Sequence, residues 1–268
     1  RNATVTVEIP SLNFIKTYQV KADSVTVSDP MPKITGQDAR ITAEGKSDKG
    51  IHITSDAAII AYAHIYDGSI SGATLLFPTN NLGRSYYSIN YTQVSNRPYS
   101  YCYTYVIATE DSTNIEIVLS ANTESGYKAG ETIKVSLNKG QVYNIFGKVL
   151  TSSTNASTGE DLTGTLIRSV ATATSSCKRI AVFSGSGKIN ISDNNSKTAD
   201  NYIQQALPSS AWGKKYLTVP TAKMPTNIYR IAVSDPTTIV KLNGSALPIS
   251  SLKNNFYYDI TSSTANLI

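Results

Sequence analysis

Two stretches of the 268-residue chain repeat one pattern and decide its fold class. Residues 105–115 read YVIATEDSTNI and residues 229–239 read YRIAVSDPTTI, with Tyr, Ile, Ala, Asp, Thr and Ile at matching positions. We interpret each stretch as a strand, a tight turn and a second strand. Asp111 and Asp235 lie in the turns, where a short carboxylate accepts hydrogen bonds from backbone N–H groups. A second hairpin follows each unit, at residues 137–145 and 252–260.

Apolar and polar residues alternate along much of the chain. The alternation is clearest at residues 4–9, 133–137 and 238–242. A period of two predicts antiparallel strands with one buried face. Clusters of Gly, Asn, Asp, Ser and Pro separate the strands at the spacing of about 8–12 residues that is typical of all-β proteins. No stretch of eleven residues has helical apolar spacing. The sequence therefore predicts an all-β fold.

A different module lies between the hairpin units and also occurs twice. One copy contains LFP at residues 76–78 and LGRSYY at 82–87, and the other contains ALP at 206–208 and WGKKY at 212–216. We divide the chain into repeat units of about four short strands each. The units are residues 1–48, 49–98, 99–150, 161–222 and 223–268, which together form a single all-β repeat domain.

Two antiparallel architectures fit these units. Four-stranded sheets arranged radially make a β-propeller, and sheets paired face to face make tandem β-sandwiches. The count of four strands per unit favours a propeller-like arrangement, with the tandem sandwich as the alternative. Residues 259–268 resemble residues 161–167. We therefore expect one of two things: the chain is cut from a longer one, or its last strand completes a sheet, either in this chain or in a neighbouring one.

The composition excludes several classes of protein. Hydrophobic residues make up 40% of the chain, which is enough for a core, but no apolar run approaches the ~20 residues of a membrane span. The net charge of +5 comes without any Arg-rich stripe. Since affinity for phosphates needs clustered cations, we expect no nucleic-acid partner.

The two cysteines, Cys102 and Cys177, leave two alternatives open. Zinc binding is not supported, because no second cysteine pair or neighbouring histidine accompanies them. They form either one disulfide or two buried thiols, and the sequence does not show whether their Cβ atoms meet.

Asn-X-Ser/Thr sequons are compatible with an extracellular glycoprotein. The chain is so rich in Asn, Ser and Thr that about five would arise by chance, so the sequons permit glycosylation without requiring it. The candidate acceptors are Asn2, Asn90, Asn155, Asn190, Asn194 and Asn243.

Few side chains are suited to acid–base or nucleophilic chemistry. The two histidines, His52 and His64, lie in predicted strands, and we interpret them as part of a Tyr-rich sheet face. Asp56, Asp111 and Asp235 occur singly in turns, which favours a structural role over a calcium site with several converging oxygens. We predict no catalytic residue, no metal site and no cofactor.

Tyrosines are concentrated in one part of the chain. Such a cluster suits recognition of a protein or a glycan, because tyrosine offers a large contact area at low entropic cost. Packing along a strand face is the alternative, and we favour it. The cluster comprises Tyr86, Tyr87, Tyr91, Tyr99, Tyr101, Tyr103 and Tyr105.

An ordered set of motifs resembles the IgGFc-binding protein N-terminal domain family. The motifs are GIHITSDA (50–57), LFPTNNLG (76–83), VIATED (106–111), DLTGT (161–165), IAVFSG (180–185) and QALPSSAWG (205–213). The resemblance implies a secreted or surface-anchored protein without enzymatic activity or cofactor. Residues 188–202 lack the cysteine pair that the family often has there, so the resemblance implies no disulfide pattern for this chain. No residue carries over the binding of immunoglobulin Fc.

The sequence as a whole favours a non-enzymatic extracellular or cell-surface module for adhesion or binding, with protein or glycan partners. A self-assembling filament or matrix subunit is the alternative. A glycan-active enzyme is less favoured, because it needs two acids about 5–10 Å apart in a cleft.

Overall fold

A computed structural model describes residues 1–154, 156–191, 199–224 and 226–268. These residues form an all-β protein with antiparallel sheets and four single-turn 3-10 helices, at Pro10–Leu12, Thr79–Asn81, Ser209–Ala211 and Ile249–Ser251. The strands are β1 (Ala3–Ile9), β2 (Phe14–Val20), β3 (Lys33–Ile34), β4 (Gln37–Asp38), β5 (Gly45–Ser47), β6 (His52–Ser55), β7 (Ala61–Asp67), β8 (Ile70–Leu76), β9 (Ser85–Tyr87), β10 (Gln93–Ser95), β11 (Cys102–Ala108), β12 (Thr113–Val118), β13 (Thr132–Leu137), β14 (Val142–Phe146), β15 (Val149–Ser153), β16 (Ala156–Gly159), β17 (Leu166–Ser169), β18 (Ile180–Ile189), β19 (Asp200–Gln205), β20 (Leu217–Thr218), β21 (Asn227–Ala232), β22 (Lys241–Leu242), β23 (Ser245–Ala246), β24 (Tyr257–Ser262) and β25 (Asn266–Leu267).

Two sheets share the main core in the middle of the chain. The larger sheet has the order β15-β16-β10-β18-β11-β14-β5, with β19 also paired to β18, and the smaller has the order β13-β12-β17-β9. Alternate residues of both sheets meet in one buried cluster, as the strand period of two requires. This core includes Val106, Ala108, Ile115, Ile117, Ile145, Ile167, Ile180 and Val182. We refer to these two sheets with their shared core as the sandwich. The described part of the chain contains neither a propeller nor a closed barrel.

The predicted hairpin at residues 105–115 is wrong. β11 ends at Ala108 and pairs with β14 and β18, whereas β12 begins at Thr113 and pairs with β13 and β17. The chain therefore crosses from one sheet of the sandwich to the other between these strands. Alternation of apolar residues places a strand correctly, but it does not choose the partner of that strand.

The strands that follow residue 216 repeat pairings of the sandwich. The pairs β20–β25, β21–β24 and β22–β23 correspond to β9–β17, β11–β14 and β12–β13. Local geometry repeats as well. The Gly83 N–H donates to the Tyr86 hydroxyl at 2.7 Å, and the Gly213 N–H donates to the Tyr216 hydroxyl at 2.6 Å.

The strand registers align the two repeated units differently from the sequence. The two alignments differ by one residue. Tyr105 lies opposite Asn144 in the first copy, and Arg230 lies opposite Asp259 in the second. Asn144 and Asp259 occupy the same place in the aligned segments 137–145 and 252–260, so Arg230 rather than Tyr229 is the counterpart of Tyr105. A shift of one residue moves every side chain of a strand to the other face. The shift therefore decides which residue of β21 faces the sandwich.

Smaller sheets lie within the first 76 residues of the chain. The strands β2, β1 and β6 form one, with a small core around Val5 and Val7. β7 and β8 form a long hairpin whose first strand exposes Tyr62 and Tyr66.

Candidate functional site

Arg230 is a buried cation in the middle of β21. Its side chain is 9% exposed, and its Nη1 lies 2.7 Å from Oδ2 of Asp161. Its Nε and Nη2 donate to the two carboxylate oxygens of Asp259 at 2.8 and 3.0 Å. A bidentate pair of this kind fixes the plane of the guanidinium.

Three segments of the chain position these partners. The β21–β24 register places Asp259 directly opposite Arg230. Asp161 precedes β17 in the sandwich, and its neighbour Thr163 accepts a hydrogen bond from Arg230 Nη1 at 3.0 Å. The same nitrogen donates to the backbone carbonyl of Asn90 at 2.7 Å. Arg230 therefore ties the C-terminal strands to two loops of the sandwich.

Two aromatic rings complete the surroundings of the guanidinium. Its central carbon lies 4.4 Å from the ring centroid of Tyr91 and 4.0 Å from that of Tyr257. Both distances are within the range of cation–π attraction. Burial, followed by the charge of Asp161, raises the pKa of Tyr257 to about 12, so this tyrosine stays neutral at physiological pH.

The charges of this network balance. Burial alone lowers the pKa of Arg230, but hydrogen bonds and charges from Asp259 and Asp161 outweigh it and raise that pKa above its usual range. Burial raises the pKa of Asp259, but Arg230 and Lys253 outweigh it and leave the carboxyl below its usual pKa. Lys253 lies 3.0 Å from Asp259, so two cations face two anions. The network therefore presents no net charge to a ligand.

A pocket of about 150 Å³ lies beside Arg230. At about 30 Å³ per water molecule, this is roughly five waters in volume, and it is smaller than the ~300 Å³ at which drug-sized ligand sites begin. The pocket suits one apolar side chain. Its lining comprises Ile89, Asn90, Tyr91, Ile189, Ile191, Tyr202, Ile228 and Arg230.

The three predicted turn aspartates lie outside the Arg230 network. Asp235 accepts the N–H of Thr237 at 2.8 Å within its own turn. Asp111 instead accepts the N–H of Lys139 from the turn between β13 and β14, at 3.0 Å, and Asp56 accepts an N–H of β1 at 2.8 Å. All three carboxylates hold backbone groups, but two of them join separate segments.

Both cysteines are free thiols. Cys102 is fully buried in the sandwich core, whereas Cys177 is partly exposed. Burial raises the pKa of the Cys102 thiol to about 12. Of the two alternatives left open by the sequence, the structure has the unpaired thiols, but only one of them is buried.

The predicted glycosylation sites differ in accessibility. Asn90 is 2% exposed, and its Nδ2 donates to the carbonyls of Tyr103 and Gly185 at 2.8 and 2.9 Å. That nitrogen is the atom that would carry a glycan, so the folded site has no room for one. Asn2 and Asn243 are exposed, Asn190 is half-buried, and Asn155 and Asn194 lie outside the described residues.

The histidines and most of the clustered tyrosines make internal contacts. His52 Nδ1 lies 2.8 Å from Glu8, and His64 Nε2 lies 3.0 Å from the hydroxyl of Ser71. Of the seven clustered tyrosines only Tyr99 is largely exposed, at 75%. Tyr105 stacks on Phe183 at 4.9 Å. These contacts support packing as the main role of the cluster.

The described residues bring together no group of three or more His, Cys, Asp or Glu side chains that could hold a metal ion. Among the same residues, no helix has the length and apolar character needed to cross a membrane.

Sequence reasoning missed Arg230 and its pocket. Two signals were available. An arginine stands between Tyr229 and Ile231 in a predicted strand, and the Asp-Leu-Thr of residues 161–163 recurs as Asp-Ile-Thr at 259–261. The sequence alone indicates only that this motif is part of a repeat, whereas in the structure both of its aspartates bind the one arginine.

Comparison with known proteins gives one match. The model of a family described as IgGFc binding protein matches residues 72–268. Neither the curated proteins nor the solved structures include a significant match.

Proposed function

The chain belongs to the IgGFc-binding protein family, and on that basis we propose that it is a non-enzymatic extracellular or cell-surface module that binds a protein partner. The pocket beside Arg230 takes one apolar side chain of that partner. Membership of a family named for binding a protein supports the class of function.

The lining of the pocket carries the proposal. Four isoleucines and two tyrosines form most of its wall, and the guanidinium below them is already neutralised by Asp161 and Asp259. Desolvating such a wall is favourable, and single anchor side chains in pockets often dominate protein–protein affinity. A glycan is a weaker candidate, because its hydroxyl groups would find few free polar partners among isoleucines.

The paired acids also argue for binding rather than glycan chemistry. Asp161 and Asp259 both bind Arg230, and Asp259 has a lowered pKa. A general acid for glycoside hydrolysis needs a raised pKa and access to the substrate. These two carboxylates stabilise the fold around the pocket instead.

Selection of displayed peptides tests the proposal. Random peptides are selected on the purified chain, and binding is then compared with Ile228→Glu and with the matched control Ile239→Glu, whose position is 75% exposed. Selected peptides are expected to share an aliphatic or aromatic anchor and to lose at least about tenfold in affinity for Ile228→Glu only. Equal binding to all three proteins would refute the pocket as the binding site of the peptides. Binding of the Fc fragment of IgG to the same three proteins is measured in parallel.

Self-association is a second candidate function, and the edge strand β7 favours it. Its residues Tyr62 and Tyr66 are 68% and 64% exposed, and Ile60 just before it is 76% exposed. Residues 58–66 contain no Lys, Arg or Pro, the residues that commonly protect sheet edges. Among the described strands, β7 pairs only with β8.

Sedimentation over a wide range of protein concentration tests self-association. The wild-type chain is expected to dimerise as concentration rises, and Tyr62→Lys is expected to stay monomeric because it places charge on the edge. Tyr99→Lys changes an equally exposed tyrosine outside β7 and serves as the control. A wild-type chain that is monomeric at every concentration contradicts this second function.

A further inference from the structure

The two copies of the repeated strands differ at one sheet edge. In the sandwich, β11 pairs with β14 on one edge and with β18 on the other. Its counterpart β21 pairs with β24, the counterpart of β14. No other strand of the described residues pairs with β21.

Backbone hydrogen bonds support the equivalence of these strands. The N–H of Ala108 at the end of β11 donates to the carbonyl of Gln141 at 3.1 Å, and the N–H of Val233 just after β21 donates to the carbonyl of Phe256 at 2.8 Å. The first bond lies three residues beyond the Tyr105–Asn144 pair, and the second lies three residues beyond the Arg230–Asp259 pair. The open edge of β21 therefore corresponds to the edge of β11 that β18 covers.

The burial of the residues in β11 and β21 reflects the different number of neighbouring strands. β11 alternates buried and half-buried residues along its whole length, whereas no residue of β21 is fully buried. The edge also lacks the usual protection, because residues 227–232 contain no Lys or Pro and their one charged side chain, Arg230, is turned into the buried network. An edge of this kind is a template for another strand.

We propose that the open edge of β21 accepts an extended strand of the protein partner, in the antiparallel position that β18 occupies on β11. The proposal rests on the protein-binding function and gives the form of the bound segment, which main-chain hydrogen bonds hold and side-chain pockets select. The partner is thus an extended peptide segment, uncharged and rich in apolar and small residues, as residues 180–185 are.

The register of β18 on β11 indicates which side chains of the partner would lie opposite Arg230 and Ile228. On β11, Phe183 lies opposite Tyr105 and Gly185 lies opposite Tyr103. In the same register on β21, an apolar residue of the partner lies opposite Arg230 and a small residue lies opposite Ile228. Both of these β21 residues line the pocket, so an added strand would present its apolar side chain on the pocket side.

Amide hydrogen exchange with a synthetic peptide tests strand addition. The peptide has the sequence of residues 179–188, and the control peptide carries Ala181→Pro. On β18, Ala181 lies opposite Ile107 and its backbone N–H is on the side that faces β11, whereas the carbonyl of Val182 faces β19 and accepts from Ala206. The proline therefore removes an N–H that the accepting strand would use. With the first peptide in excess, the amides of Ile228, Arg230 and Ala232, which lie on the open side of β21, are expected to exchange at least about tenfold more slowly, while those of β11 stay unchanged. Unchanged exchange in β21, or equal protection by the proline peptide, overturns the proposal.

A second measurement separates this proposal from the proposed function. Peptides selected by display are added to the wild-type chain in the same exchange experiment. If their affinity depends on Ile228 but β21 amides stay unprotected, the pocket binds a side chain and strand addition is refuted. If no selected peptide discriminates Ile228→Glu and no peptide protects β21, both proposals fail.

Discussion

Asp161 and Asp259 hold the same guanidinium, that of Arg230, from two different parts of the chain. Each aspartate begins one copy of a short repeated motif, Asp-Leu-Thr or Asp-Ile-Thr. One copy lies in the sandwich and the other in the C-terminal strands, so the shared arginine joins the two parts. The pocket forms at this junction, with walls from both.

Removing the arginine should destabilise the protein strongly. Arg230→Met keeps the length of the side chain but leaves Asp161, which is 10% exposed, without its ion-pair partner, and Asp259, which is 14% exposed, with Lys253 alone. Breaking a buried pair in this way costs about 3–5 kcal/mol. Urea unfolding measures the loss. Lys253→Met is the control, because Lys253 is 56% exposed and an exposed pair contributes at most about 1 kcal/mol. Equal stability of the two variants would contradict the assigned role of Arg230.

The stability of the folded protein should decrease in acid because Asp259 becomes protonated. Its pKa in the folded protein is below the usual range, because Arg230 and Lys253 outweigh the opposing effect of burial. Its contribution is therefore fully present above the unfolded pKa of about 3.9 and is lost as pH falls through the lower folded pKa. Thermal unfolding from pH 6 to pH 2 is expected to show a shallower decline for Asp259→Asn than for the wild type. Parallel curves would show that this carboxyl does not contribute.

The two thiols should differ in reactivity. Burial raises the pKa of Cys102 to about 12, and its side chain is inaccessible in the core, whereas Cys177 is partly exposed. Iodoacetamide at pH 8 is expected to add one group to the folded protein, at Cys177, and a second only after denaturation. Peptide mass spectrometry locates the adducts. Recovery of a peptide linked through both cysteines would contradict the free thiols.

The sequon at Asn90 should remain unmodified in folded protein. Both hydrogens of its amide nitrogen are bonded to backbone carbonyls of the larger sheet, at Tyr103 and Gly185. Peptide mapping after secretion from a glycosylating host is expected to show Asn90 without glycan, with the exposed Asn2 and Asn243 as the internal comparison. A folded, secreted form with a glycan on Asn90 would rule out the buried placement.

The all-β class could be predicted because alternation along a strand is a local property of the sequence. Core positions such as Ile115 and Ile117 follow directly from it. Pairing is not local. The segment after Ala108 has the residues of a tight turn, yet it joins two sheets, and only the competing partners β14, β18, β13 and β17 decide this.

The candidate site was less predictable than the fold. Identical residues at Tyr105 and Tyr229 suggest an alignment that is one residue away from the register of the strands. Under that alignment Arg230 corresponds to Val106, which is a core residue. The alignment therefore gives no indication of the buried network around Arg230. Its partners are far away in sequence, since Asp161 lies 69 residues from Arg230.

A crystal structure of the chain with a display-selected peptide would show directly whether the pocket beside Arg230 binds a side chain. We expect electron density for an apolar side chain of the peptide between Ile228 and Ile189. Density for the peptide at another surface, such as the exposed face of β7, with the pocket beside Arg230 unchanged, would contradict this expectation.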